Sequence, residues 1–268
     1  MPERHILKTN QPSKTGTKAL ILQNRDKTLL EALSTLKLID RKQAAQVARF
    51  NSLTRVNSRL LKLTQAGLLK RFFFVGELGG KRAVYSLSKK GAALIGASTS
   101  GLSRPQDSFL IGDRFVAHTL ALSQAYCAAF CSSTETGNAK NWQTFKNAVS
   151  PSVPLVPDAY FEIHTKNNVH PVFLEVDRGT EGLPVWHKKV TQYWQLAASG
   201  EFERLFKHQR FAVLVVAASE RRMHSLRAET AKITSKLFYF STLHRIEEQG
   251  FWSSVWLRPE GAEPQSLN

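Results

Sequence analysis

Between Asp26 and Ser88 the apolar residues change their spacing from a helical to an alternating pattern, and that order leaves few folds open. Leu29, Leu30, Leu33 and Leu36 recur at helical spacing, which predicts a first helix from Asp26 that ends over Lys37 to Asp40. Asp40 is placed to cap a second helix, RKQAAQVARF, whose Ala44, Val47 and Ala48 make a small-residue face that allows close packing. After Asn51 and Ser52, a third helix carries Leu53, Val56, Leu60 and Leu63 on one face and Thr54, Arg55, Ser58, Arg59 and Lys62 on the other. Gly67 closes that helix, and two strands follow, LLKRFFFV and AVYSLS, joined by the turn GELGGKR with its Lys81 and Arg82. A short closing helix is expected over Lys89 to Ile95. Three helices, a strand, a basic glycine-rich turn and a second strand are the parts, in order, of a winged helix-turn-helix.

Charge assigns this part of the chain a partner. The formal net charge is +16, and residues 1–100 hold 19 Lys and Arg against 5 Asp and Glu, whereas residues 101–268 hold 18 against 16. An excess confined to one module points to a polyanion gripped by that module, here double-stranded DNA. In such a motif the third helix enters the major groove. Arg55 and Arg59 are the candidates for base edges because a guanidinium bonds guanine bidentately, with Thr54 and Ser58 as lesser candidates. Lys62, Lys81 and Arg82 are expected on phosphates.

The predicted division of the chain is a flexible basic arm over 1–20, the winged helix over 21–98, a Gly/Ser/Pro linker over 99–110 and a second domain over 111–268. The second domain opens on an apolar helix, Gly112 to Cys131, followed by the polar loop SSTETGN. Strands are predicted at about Asn141 to Asn147, Val156 to Ile163 and Val169 to Asp177, then a helix from Pro184 to Ala198 and the fully apolar strand FAVLVVAA. A basic helix over Glu220 to Lys236, the strand FYFST, a short helix ending at Gly250 and the strand WSSVWL complete an α/β (α+β) arrangement.

Other residues exclude function classes. Cys127 and Cys131 lie four apart on one helix face, a geometry that forbids a disulfide between them, and are expected as reduced thiols. The eight His are scattered without metal-ligand spacing, and neither a nucleophile elbow nor a phosphate-cradling glycine loop occurs. Without an apolar run of bilayer length or a secretion signal, a cytoplasmic protein with no membrane partner is expected. Trp186, Tyr193 and Trp194 are at helical spacing that suits a core, with base stacking as the other use. Arg221, Arg222, Arg227, Lys232 and Lys236 are either a second DNA contact or a solvated face.

Asp158 follows Pro157 at the start of one predicted strand, and Glu175 and Asp177 stand two apart near the end of the next, on one face. A hairpin that gathers these three carboxylates makes a site for Mg²⁺, which activates water against a phosphodiester. Alternatively they are strand-end acids paired with Arg178, Lys188 or Lys189.

Pro157-Asp158 followed by Glu175-Val176-Asp177 on adjacent strands resembles the PD-(D/E)XK nuclease superfamily, whose restriction-endonuclease-like αβββαβ fold is then implied for the second domain. More narrowly, a winged helix followed by PDAYFEI and FLEVDRGTE resembles the replication-relaxation family of plasmid-encoded proteins, over about residues 25–240. The resemblance implies a DNA-binding accessory role in plasmid replication control or mobilisation, with a relaxase or replication protein as partner; a homodimer is left open. Asp158 and Glu175 would be the metal-binding acids, with Asp177 beside them. The pattern departs from the superfamily where its lysine should stand, because Asp177 occupies that position, and the following helix offers Lys188, preferred here, or Lys189 instead. The glutamate common in the first helix is also missing, with only Asp113 nearby. The alternatives are a Mg²⁺-dependent endonuclease using Asp158, Glu175, Asp177 and Lys188, and a winged-helix transcriptional repressor.

Overall fold

The computed structural model describes residues 20–76, 79–98, 102–132 and 137–267. Residues 1–19 of the expected arm, Glu77 and Leu78 of the basic turn, 99–101 of the expected linker and 133–136 of the polar loop lie outside them. The protein is mixed α/β, with two mixed sheets. It divides into two compact units, Met1–Ser123 and Gln124–Asn268, rather than at residues 99–110.

The first unit begins with α1 (Asn24–Leu36), the two-residue strand β1 (Ile39–Asp40), α2 (Arg41–Val47) and α3 (Leu53–Gln65). Asp40 caps α2 as its sequence position requires: Oδ1 accepts from the Lys42 and Gln43 amides at 2.8 and 3.0 Å, and Gln43 Oε1 accepts from the Asp40 amide at 3.0 Å. Val56, Leu60 and Leu63 bury the inner face of α3, while Leu53, in its first turn, stays 42% exposed. Gly67 follows with φ +74°, a left-handed conformation that costs glycine nothing. Strands β2 (Leu69–Gly76) and β3 (Gly79–Leu87) then form an antiparallel hairpin with Phe73 opposite Ala83, and α4 (Lys89–Leu94) closes it.

A strand that sequence periodicity did not reveal completes this sheet. Across the end of the expected linker, β4 (Phe109–Ile111) pairs parallel with β2, giving the order β1-β3-β2-β4. Its Leu110 joins Leu38, Phe72, Phe74 and Val84 in a core finished by Val116 and Leu120 of α5 (Arg114–Phe130). Two polar contacts fix the same turns of α5: Gln43 Nε2 donates to the Leu120 carbonyl at 2.8 Å, and Ser123 Oγ to the Leu38 carbonyl at 2.7 Å. Gly91 sets the distance of α4 from this body. A Cβ added there would lie 2.2 Å from the Leu68 carbonyl oxygen and 2.9 Å from the Leu87 side chain. Gly91→Ala is therefore expected to cost about 2 kcal/mol, seen as faster hydrogen exchange of the β2 and β3 amides.

The second unit is a five-stranded sheet of β5 (Asn138–Thr144), β6 (Ala159–His164), β7 (Val169–Asp177), β8 (Ala212–Ala217) and β9 (Phe238–Thr242), in that spatial order. The first three strands are antiparallel, and β8 and β9 run parallel to β7. Helices α6 (Leu183–Ala198), α7 (Glu201–Phe206) and α8 (Glu220–Ala231) cover one sheet face, and α9 (Leu243–Gln249) follows β9. Phe173 lies at the centre of that face, its ring 5.1 to 5.8 Å from those of Tyr160, Tyr193, Phe202, Phe206 and Phe211. On the other face Phe161 meets Phe130, Trp142 and Phe251.

Several expected boundaries move for identifiable reasons. The second strand starts at Ala159 rather than Val156, since Pro157 has no amide to give a ladder. The first runs from Asn138 through a register shift at Asn141, whose φ is +59°. The basic helix ends at Ala231, and the expected strand WSSVWL makes only isolated bridges, Phe240 to Leu257 and Trp256 to Gln265. Neither cysteine is in a disulfide; Cys127 is buried and Cys131 half-buried. No helix among the described residues is long and apolar enough to cross a membrane.

Candidate functional site

The outer face of α3 carries Thr54, Arg55, Ser58 and Lys62, all exposed. Arg59 departs from that group. Its Nε donates to Asp26 Oδ1 at 2.7 Å, its Nη2 to the Ile21 carbonyl at 2.7 Å, and the same Nη2 closes an ion pair with Asp26 Oδ2. Asp26 is fully buried in the first turn of α1, so Arg59 fastens α3 to α1 and is not available to a base edge. Lys81 and Arg82 are separated by strand alternation. Arg82 reaches toward the helices, its Nη1 3.2 Å from Asp40 Oδ2 and its guanidinium 5.4 Å from the Phe74 ring centroid, and it remains half-exposed. Lys81 points to the opposite sheet face, over the rings of Phe73 and Phe109 at 4.3 and 4.4 Å.

In the second unit the hairpin of β6 and β7 does bring acids together. Ala159 pairs with Leu174, so one step further along the register Asp158 faces Glu175, and Asp158 Oδ2 accepts from the Val176 amide at 2.8 Å. Glu175 is 2% exposed. Its Oε2 accepts from Lys189 Nζ and its Oε1 from the Tyr193 hydroxyl, both at 2.5 Å, from successive turns of α6. Burial pushes the Glu175 carboxyl up to about 7; the Lys189 ammonium opposes this and the Asp158 charge adds to it. Burial alone would lower the Lys189 pKa, but Glu175 and Asp158 outweigh it and hold the ammonium above its ordinary range. The Tyr193 phenol is also raised, by burial and by Glu175.

Asp177 shares the face of Glu175, as alternation requires, yet it is drawn into a different pair. Arg222 of α8 grips it bidentately, Nε to Oδ1 and Nη2 to Oδ2 at 2.8 Å each, and also donates to the Glu181 carbonyl. Among the described residues no group of three or more His, Cys, Asp or Glu is arranged to hold a metal ion. The expected Asp158, Glu175 and Asp177 cluster does not fit Mg²⁺ as it stands: both oxygens of Glu175 and both of Asp177 are already taken by side-chain donors.

The lysine preferred from sequence, Lys188, also changes role. It is exposed and lines a shallow pocket with Pro154, Pro184, His187, Thr191 and Gln192, while its neighbour Lys189 makes the contact to Glu175. Trp186 and Tyr193 are core residues, and Trp194 is 43% exposed. The basic run is partly internal: Arg222 holds Asp177, Arg227 donates to the Arg258 and Gly261 carbonyls, and Lys232 pairs with Glu229 at 2.6 Å.

A family model described as Replication-relaxation matches residues 30–208, about two thirds of the chain. The chain belongs to the replication-relaxation family. No curated protein and no solved structure matches it. In this replication-relaxation protein the matched segment takes in α3, the strand with Lys81 and Arg82, and the group Asp158, Glu175, Lys189 and Tyr193. It ends before Arg222, so the guanidinium that occupies Asp177 lies outside the part matched to the family.

Proposed function

We propose that this replication-relaxation protein is a DNA-binding accessory protein of a plasmid or other mobile element, acting in replication control or mobilisation. Family membership supports the replication or mobilisation role. The order of α1, β1, α2, α3, β2 and β3, with β3 between β1 and β2, supports reading the first unit as a winged helix-turn-helix. The observation that carries duplex binding is the outer face of α3, where Thr54, Arg55, Ser58 and Lys62 are exposed in the most basic part of the chain. Arg55 reads base edges, Thr54 and Ser58 assist, and Lys62 and Arg82 hold phosphates. The second unit, whose strand order and Asp158/Glu175 pair are compatible with a PD-(D/E)XK-like domain, acts as a scaffold and further contact, its acids tied up in ion pairs.

The test is a titration of labelled duplex DNA with the full chain at several salt concentrations, with each sample then run on a denaturing gel with and without Mg²⁺. Arg55→Ala is expected to weaken binding about tenfold to a hundredfold at its preferred site. Lys62→Ala should weaken all duplexes alike and reduce the slope of log affinity against log salt by about 0.9. The DNA should stay whole. Unchanged affinity in both variants would sink the assignment of α3, and Mg²⁺-dependent cutting lost in Asp158→Ala would replace the accessory role with that of an endonuclease.

A further inference from the structure

Alternation along β2, β3 and β4 gives the first sheet two faces with different chemistry. Phe72, Phe74, Val84 and Leu110 point into the core. Arg71, Phe73, Val75, Lys81, Phe109 and Ile111 share the other face, where Phe73 pairs with Phe109 and Val75 with Ile111 and Lys81. That face is open to solvent at its β4 edge, with Phe109 54% and Ile111 76% exposed. The Phe73 and Phe109 rings lie 5.6 Å apart, Lys81 hovers over both, and the Arg71 guanidinium stands 5.1 Å from the Phe73 centroid. Arg71 is itself oriented by Asp107, whose Oδ1 accepts from Nε at 2.5 Å.

We infer that this face is a stacking surface for unpaired nucleobases, so that the protein holds single-stranded nucleic acid on the sheet as well as duplex DNA on α3. Exposed aromatic rings interleaved with cations are what a single strand needs: rings accept the flat faces of bases, and the cations meet the phosphates between them. A duplex cannot use the rings, because its base faces are covered by neighbouring base pairs. A second copy of the chain fits poorly, since the described part of the face carries Arg71 and Lys81 against the single acid Asp107, and joining two such faces gathers like charge. The Lys81 contact with the rings is exposed and weak, and the ammonium moves to a phosphate when a base stacks. The Asp107 carboxylate at this face is taken by Arg71, so recognition rests on ring faces and cations and tolerates any sequence.

The inference uses a different surface from α3, and the two are tested apart. Fluorescence anisotropy would be measured on the full chain with three labelled ligands: oligothymidine, an abasic oligomer of equal charge, and duplex DNA. The wild type is expected to prefer oligothymidine to the abasic strand. Phe109→Ala should cost about tenfold on oligothymidine and leave the other two ligands unchanged, while Phe109→Tyr retains the preference. Should Phe109→Ala lose its native circular dichroism, Ile111→Thr, at a more exposed position, replaces it and should show a smaller loss in the same ligand order. The inference is overturned if oligothymidine binding is unchanged, or if all three ligands weaken equally. It is likewise overturned if light scattering reveals a dimer that Phe109→Ala breaks without any change in single-strand affinity. Loss of duplex binding alone, as expected of Arg55→Ala, bears on α3 and not on the sheet.

Discussion

Replacing Lys189 with methionine is expected to cost the second unit about 3 to 5 kcal/mol, because Glu175 is left as a buried carboxylate without its cation. Adding Glu175→Gln should restore most of that loss, since an uncharged amide still pairs with Tyr193 and carries no charge to solvate. The pH dependence carries its own sign. Folding raises the Glu175 pKa from 4.5 to about 7, so the folded state holds this proton more tightly than the unfolded chain. The stability gained from that proton is fully present below about 4.5 and is lost as pH rises through about 7, a swing on the order of 3 kcal/mol. Without Lys189 the carboxyl is harder still to ionise, and the deficit of Lys189→Met should be greater near about pH 8 than near about pH 5. Urea unfolding followed by indole fluorescence reads this unit alone, because Trp142, Trp186, Trp194, Trp252 and Trp256 all lie within Gln124–Asn268. A deficit that is flat with pH would mean that Glu175 is not the group left stranded.

The second large effect belongs to Arg59. Arg59→Met removes the cation from a fully buried Asp26 and frees the Ile21 carbonyl, at an expected cost to the first unit of about 3 kcal/mol. Hydrogen exchange should show α1 and α3 opening more often, while duplex affinity at low temperature, where the folded form still dominates, stays near the wild-type value. Arg55→Ala should do the reverse, weakening DNA with exchange unaltered. If Arg59→Met lost DNA affinity with α1 and α3 fully protected, the guanidinium would be a DNA contact and not a clasp between helices.

The helices and the hairpin of the first hundred residues were legible because each rests on local chemistry: the spacing of Leu29 to Leu36, the cap at Asp40, and Val56, Leu60 and Leu63 along α3; the two-residue strand β1 was not, being too short to show a period. The strand β4 was not, since its partner β2 lies more than thirty residues earlier and Phe109–Ile111 is too short to display a period. In the second unit alternation and the tight turn between β6 and β7 suffice to set Asp158 opposite Glu175. The partners of the acids required tertiary knowledge in one case and not in the other. Trp186, Val190 and Tyr193 mark the inner stripe of α6, and Lys189, four residues before Tyr193, falls beside that stripe while Lys188 falls outside it, so helical spacing already favoured Lys189. Arg222, by contrast, reaches Asp177 from forty-five residues away, and no spacing announces that. Arg59 was grouped with Arg55 and Ser58 because helical spacing sets the three on one face, and that pattern cannot see a buried acid on another helix.

The parallel pairing of β4 with β2 also bears on how specificity could be moved between relatives. Leu110, Val116 and Leu120 seal the core beneath the β2–β3 hairpin, so a graft that ended at residue 98 would transplant α3 on a body missing one wall. The transferable piece runs on to Ser123, and chimeras joined there should keep their donor's DNA preference, whereas chimeras joined at the Gly/Ser/Pro stretch should be insoluble.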